Sequence, residues 1–251
     1  MSNSCVQYFI EYASTFTLPS DNILFTDEYV ETDKEKYHLF FNVYNPWLIN
    51  QYHKKGVKRI GIINTEQLTR PDYFHRYHYQ LSQLECNPPD LFDYSKFNCE
   101  KMLPLHVELV PYGLDKDLIK LDAIMIGTKS DRRQAIVTKL RERGLQVEFL
   151  DNLWGKDRDN YIFKTRVLIN VHYNDVYKLH ESIRCDRWVE AGKVVVSEES
   201  IDDHHNELKE RIHVCPYDSI VNTVDTIVTE QKKPFLERLK RVQYLREKYN
   251  W

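Results

Sequence analysis

The sequence predicts an α/β fold built on parallel, doubly wound sheets, and three observations carry that prediction. Strand-like and helix-like segments alternate from Asp122 to Ser197, the order that parallel strands joined by crossover helices require. The segments Arg166 to Val171 (RVLINV) and Lys193 to Ser197 (KVVVS) are apolar at successive positions, as strands covered by helices on both faces must be. Two helix-like segments stop at glycine, Gly144 and Gly192, where a left-handed residue closes a last turn.

Taken in chain order, Asn22 to Phe25 and His38 to Val43 (HLFFNV) are strand-like. Residues 46–55 are helix-like and stop at Gly56, and Val57 to Ile63 (VKRIGII) is the next strand. Residues 71–85 have helical spacing, Pro89 to Tyr94 (PDLFDY) is a short strand, and Val107 to Val110 closes the first half. Asp122 to Ile126 (DAIMI) ends at Gly127. Arg132 to Arg143 then carries Ile136, Val137 and Leu140 on one face, the stripe of a packed helix. Leu145 to Leu150 is a strand, Lys156 to Thr165 a helix and Arg166 to Val171 a strand. Residues 176–191 form a helix, Lys193 to Ser197 and Ile212 to Cys215 are strands, and a helix follows over 217–230. Phe235, Leu236, Leu239, Val242 and Leu245 fall at helical spacing in a final amphipathic segment. The expected domains are residues 1–116, 117–233 and the C-terminal helix 234–251, packed back on the first domain.

Composition narrows the function classes. Hydrophobic residues make up 42% and charged residues 29% of the 251 positions, which fits a folded chain rather than a disordered one. The net charge of −3 offers no global attraction for nucleic acid. Five scattered cysteines without a C-x-x-C pair fit reduced thiols. No apolar run is long enough to span a bilayer, and Met1 to Ile10 lacks a signal-peptide pattern. The expected location is cytoplasmic.

In open parallel sheets ligands bind beyond the carboxyl ends of the strands, at loops leading into helices. The loop Gly127-Thr128-Lys129-Ser130-Asp131-Arg132-Arg133 joins a glycine, hydroxyl side chains and two arginines at a helix start, a combination suited to a diphosphate. The alternative, two solvated helix arginines, stands beside it. Asn170-Val171-His172-Tyr173-Asn174-Asp175 is dense in donors and acceptors and leads to Glu181 and Arg184. Glu181, early in its helix, is a candidate for ribose hydroxyls, and Arg184 for phosphate or for orienting Glu181; a surface pair between them is the alternative. Ser197 to Ser200 suits a helix cap. In the first half, Glu66 follows a strand end, and Asp72, His75 and His78 follow near a helix start. Glu66, Asp72 and His75 are the candidates for a general base. His75 and His78 share a helix face, but no third ligand stands at a zinc-site spacing.

The run IGTKSDRR…LRERGLQVEFLDNLWGKDRDNYIFKTRVLINVHYNDVYKLHESIRCDRWVEAGKVVVSEES resembles the donor domain of GT-B-fold glycosyltransferases, above all a group of short ones from bacteria and large DNA viruses. NTEQL, LFDYSKFN and VPYG resemble the N-terminal landmarks of that group, and the likeness covers roughly residues 57–200. The resemblance implies two Rossmann-like domains facing each other across a cleft. It also implies metal-independent transfer of a sugar from a UDP or GDP donor to a hydroxyl of a glycan, protein or lipid-linked acceptor, with no bound cofactor. By position, Gly127 and Arg132 or Arg133 would lie by the diphosphate, with His172 close to it, and Thr128, Tyr173 and Asn174 are further candidates for donor binding. Glu181 and Arg184 would lie by the ribose or phosphates, and Glu66 would face the interdomain cleft. The paired-glutamate signature of many retaining members is not intact, since Asp186 and Arg187 stand where a second glutamate is expected; the stereochemical outcome stays open. A catalytically inactive nucleotide- or sugar-binding protein of the same fold is the second expectation. Another nucleotide-handling α/β enzyme is the third, disfavoured by the lack of Rossmann and P-loop fingerprints.

Overall fold

The structure, a computed structural model, describes residues 26, 28–86, 89–102, 105–106, 119–190, 192–202 and 211–233. The expected strands at Asn22 to Phe25 and Val107 to Val110, and the expected helix over 234–251, lie outside the described residues.

Among the described residues the chain is α/β, with two separate sheets whose strand pairs are all parallel. It forms two compact units. One gathers residues 26–106 with 174–190 and 200–202; the other gathers 119–173, 192–199 and 211–233.

The first unit holds β1 (Tyr37–Phe41), α1 (Pro46–Lys54), β2 (Arg59–Asn64), α2 (Pro71–Ser82), β3 (Asp90–Asp93), α3 (Lys96–Met102) and β4 (Leu105–His106), with the strands in sequential order across the sheet. Asn45 caps α1 by accepting from the Leu48 N–H at 3.1 Å, and Pro46 supplies a ready-made first turn. β2 is buried over five successive residues, so both its faces are covered. Gly61 within it is forced by space: a Cβ there would stand 2.6 Å from the Tyr37 hydroxyl and 2.8 Å from a Leu39 methyl. Leu48, Ile49, Tyr52, Ile62, Leu68 and Tyr77 form the centre of this unit's core. The sequence does not announce α3, because seven residues (KFNCEKM) are too few to display a periodic apolar stripe.

The second unit holds β5 (Leu121–Ile126), α4 (Asp131–Glu142), β6 (Val147–Leu150), α5 (Gly155–Phe163), β7 (Thr165–Asn170), β8 (Val194–Glu198) and β9 (Ile212–Cys215). A 3-10 turn at Tyr217–Ser219 then opens α7, helical over residues 220–233. The strand order is β6-β5-β7-β8-β9, so the winding direction reverses at β5. With right-handed crossovers, the helices before and after that reversal cover opposite faces. Met125, Ile136, Leu140, Val167, Val196 and Val224 pack in one core that joins the sheet to α4 and α7.

One expectation needs correction. The helix expected over 176–191 is α6, Ser182–Glu190, and Glu181 therefore precedes it rather than standing within it. Side chains distant in sequence satisfy the backbone of the preceding segment and leave no helical ladder to form. The Thr69 hydroxyl donates to the Val176 carbonyl, Gln67 Oε1 accepts from the Leu179 N–H, and Asp202 accepts from the His180 N–H at 2.7 Å. The same bonds explain why residues 174–190 gather with the first unit, whereas the sequence reading draws one cut after residue 116.

Candidate functional site

At the rim of the second unit's sheet, the loops after β5 and β7 flank the point where the strand order reverses. Gly127 ends β5 with φ at 126°, a conformation closed to L side chains at low cost. Ser130 caps α4, its hydroxyl accepting from the Arg133 N–H at 3.3 Å. Arg133 is only 3% exposed. Its Nε donates to the Val171 carbonyl at 2.7 Å and its Nη1 to the Thr128 carbonyl at 3.0 Å, and the guanidinium lies 5.8 Å from the Tyr173 ring centroid. One side chain thus joins Thr128, Val171 and Tyr173 into a single rim.

Arg132 takes the neighbouring position. Its guanidinium pairs with the Glu198 carboxylate through both nitrogens and stacks 3.8 Å from the Tyr217 ring centroid. The Tyr217 hydroxyl donates to the Arg132 carbonyl at 2.8 Å. The same carboxylate accepts the His172 N–H at 3.0 Å, and His172 Nε2 meets the Glu199 carbonyl at 3.1 Å. Glu198 and Tyr217 are the residues that sequence reading does not single out here. Glu198 sits in a segment suited to capping, and its partner stands 66 positions earlier.

The remaining expected donor-site residues, Asn174, Glu181 and Arg184, belong to the first unit. The Asn174 side chain accepts from the Val176 N–H at 2.9 Å and shapes the turn. Glu181 and Arg184 pair with each other, and the Glu181 carbonyl accepts the N–H groups of Arg184 and Cys185.

The first unit carries a second polar rim, at the carboxyl ends of β1, β2 and β3. Asn42 adopts φ of 59° directly after β1, a strained position for a residue with a Cβ and one that clusters at functional sites. It donates to the Thr65 hydroxyl at 2.6 Å and accepts the Thr65 N–H at 2.7 Å. Asn64, fully buried at the end of β2, holds Glu66 from both sides: it accepts the Glu66 N–H at 3.2 Å and donates to the Glu66 carbonyl at 2.9 Å. Asn64 also donates to Asp93 at 2.7 Å. Asp93 is fully buried and further accepts from the Ser95 N–H and the Asn98 amide. Burial pushes its carboxyl up to about 7, against the pull of those donors and with help from the nearby Asp202 charge. The chain continues through the Ser95 hydroxyl to Asp202 at 2.6 Å. NTEQL and LFDYSKFN carry these residues, yet nothing local in them reveals that Asn64, Asp93 and Asn98 meet.

The three candidate bases differ sharply. Glu66 stands on this fixed rim and its carboxylate accepts the Tyr44 hydroxyl. Asp72 is exposed and engaged by both Arg70 nitrogens, and those hydrogen bonds hold its carboxyl below the ordinary range. His75 is exposed on α2 and its ring stands edge-on to Phe74 at 5.8 Å. Among the described residues no group of three or more His, Cys, Asp or Glu side chains is placed to hold a metal ion, and no helix is long and apolar enough to cross a membrane.

No known protein-family model matches the chain. Its sequence is 33% identical over 200 residues to the uncharacterized protein L140 of Acanthamoeba polyphaga mimivirus, an alignment covering 74% of this chain and 64% of that protein. It is 31% identical over 223 residues to the uncharacterized protein L138 of the same virus, covering 78% of this chain and 23% of the relative. A third relative there, the uncharacterized protein L137, is 32% identical over 181 residues and is likewise covered over 23% of its length. The chain thus spans less than two thirds of the relatives it matches.

Proposed function

We propose that the chain is a nucleotide-sugar-dependent glycosyltransferase of GT-B type, its two units being the two Rossmann-like domains of that fold. The observation that carries this reading is the reversal of strand order between β5 and β7, with the Gly127 loop and the N-terminus of α4 beside it. A crevice at such a reversal is where doubly wound sheets hold nucleotides. Backbone N–H groups at the start of a helix suit a pyrophosphate.

In this reading the acceptor hydroxyl attacks the anomeric carbon, and the bond from that carbon to the nucleoside diphosphate breaks. Glu66 takes the hydroxyl proton, and the nucleoside diphosphate departs with the electron pair of the broken bond. No metal step enters, because the helix terminus and basic side chains offset the developing charge. Arg133 acts as a positioning residue that fixes the loops, while Arg132 stands partly exposed with Glu198 as competitor for any phosphate. Cys86, Cys99 and Cys215, which form no disulfide among the described residues, suit a reducing cytoplasmic setting.

The engaged state of both arginines favours a second reading, a binding protein that keeps the fold without the chemistry. Thermal shift with UDP, GDP and their sugars tests both. A ligand at a hundredfold excess over its dissociation constant adds about 2.7 kcal/mol to stability. Slow hydrolysis of the responding sugar nucleotide supports the transferase; binding without turnover supports the second reading, and no response to any nucleotide removes both.

A further inference from the structure

Beside Glu66, the first unit exposes a cation that proton transfer does not call for. Arg76 on α2 lies 5.5 Å from the Tyr44 ring centroid and 5.4 Å from that of Tyr73, and among the described residues these rings are its side-chain partners. Its neighbour Arg70 is different: Asp72 offsets that charge through two hydrogen bonds, and the Tyr73 and Tyr177 rings flank it. Arg76 therefore keeps its positive charge at an exposed surface, and two aromatic contacts fix its direction. A guanidinium so held loses little freedom on pairing, and its fork matches carboxylate and phosphate oxygens. Tyr44 ties this cation to the candidate base, because its hydroxyl donates to Glu66 while its ring lies under Arg76. Tyr44 is itself 39% exposed, so this pair stands at the surface of the first unit.

We propose that the acceptor taken beside Glu66 is an anionic sugar, a saccharide whose carboxylate or phosphate is gripped by Arg76. The proposal rests on the glycosyltransferase reading and names the substrate class of its acceptor side.

The test is a titration of the full chain, followed by NMR, with glucuronic acid, glucose 1-phosphate, glucose and inorganic phosphate. The two charged sugars are expected to bind at least about tenfold more tightly than glucose or phosphate alone, roughly one charge-assisted contact's worth, and to weaken with salt. Whichever charged sugar binds more tightly identifies the anion as carboxylate or phosphate. Arg76→Gln, with its melting temperature checked against the parent, is expected to bring both down to the level of glucose, and Arg76→Lys to recover part of the loss. Equal binding of glucose and the charged sugars, indifference to Arg76→Gln, or phosphate binding as tightly as glucose 1-phosphate would each overturn the proposal. UDP and GDP thermal shifts run in parallel separate the two levels. Charged-sugar binding without a nucleotide response removes the transferase reading alone, and the reverse pattern removes this inference alone.

Discussion

Arg133 donates from Nε to the carbonyl of Val171 across 2.7 Å, so the loop after β7 is held to the first turn of α4 by one buried side chain. The second bond, from Nη1 to the Thr128 carbonyl, turns that contact into a brace spanning both sides of the strand-order reversal. Any ligand seated there meets loops whose separation Arg133 sets.

Arg133→Ala is therefore expected to be expensive. It strips a donor from two carbonyls at a buried site and leaves a void beside Tyr173. The expected loss is about 1–3 kcal/mol, the range for orphaned buried polar groups, read as a drop in the urea midpoint. Arg133→Lys keeps the charge but presents no planar fork, so it should stay well below the parent. A variant within experimental error of the parent would show that the brace is ornamental.

Glu198 gives a sharper test of the proposed donor site. Its carboxylate, 8% exposed, is shared between the Arg132 guanidinium and the His172 N–H. Glu198→Gln keeps an oxygen for His172 but removes the charge opposite Arg132. Stability should fall by about 1–3 kcal/mol, less than for a wholly buried pair because Arg132 reaches solvent. If Arg132 faces a diphosphate, the same variant should bind UDP or GDP more tightly, since the competing anion has gone. Unchanged or weaker nucleotide affinity in a folded variant counts against Arg132 as a phosphate ligand.

These two side chains also mark where the sequence is legible and where it is not. The strands β5, β7 and β8 are written in their uninterrupted apolar runs, and α4 in its stripe of Ile136, Val137 and Leu140 with a capping serine and a closing glycine. Local pattern carries all of that. Whether Arg133 is solvated or buried depends on a carbonyl 38 residues away, and the start of α6 depends on Gln67, 112 residues before Leu179. Asn64, Asp93 and Asn98 each look like ordinary loop or strand-end residues until the parallel register sets Asn64 beside Asp93. The cation at Arg76 looks like any helix-surface arginine until Tyr44 and Tyr73 close on it.

Asp93 makes the first unit's stability pH-dependent. Burial raises its carboxyl to about 7 in the folded chain, whereas the unfolded chain releases that proton near an ordinary carboxylate value of about 4. Between those points the folded state binds the extra proton, so stability falls as pH rises through the window and levels off above it. Asp93→Asn should flatten that slope by up to one proton's worth, about 1.4 kcal/mol per pH unit. Urea midpoints at half-unit steps across the window read the difference. Parallel profiles for parent and variant would mean that the three donors around Asp93, from Asn64, Ser95 and Asn98, outweigh its burial.

Glu66 is the candidate base that this geometry favours, and its claim is separable from those of Asp72 and His75. Asn64 holds its backbone on both sides, and the Tyr44 hydroxyl holds its carboxylate. Asp72 is spent on Arg70 and is a weaker base for it. Glu66→Gln keeps the shape and the Tyr44 contact but cannot take a proton, so kcat with a competent acceptor should fall about 10²–10⁴-fold. Donor binding, read by thermal shift, should stay. Asp72→Asn and His75→Ala should leave kcat close to the parent's. Tyr44→Phe removes the hydroxyl that holds the Glu66 carboxylate, so kcat should fall while donor binding, read by thermal shift, stays. A large kcat loss in His75→Ala with Glu66→Gln unaffected would transfer the role to the histidine and cut the link drawn between Tyr44 and the chemistry.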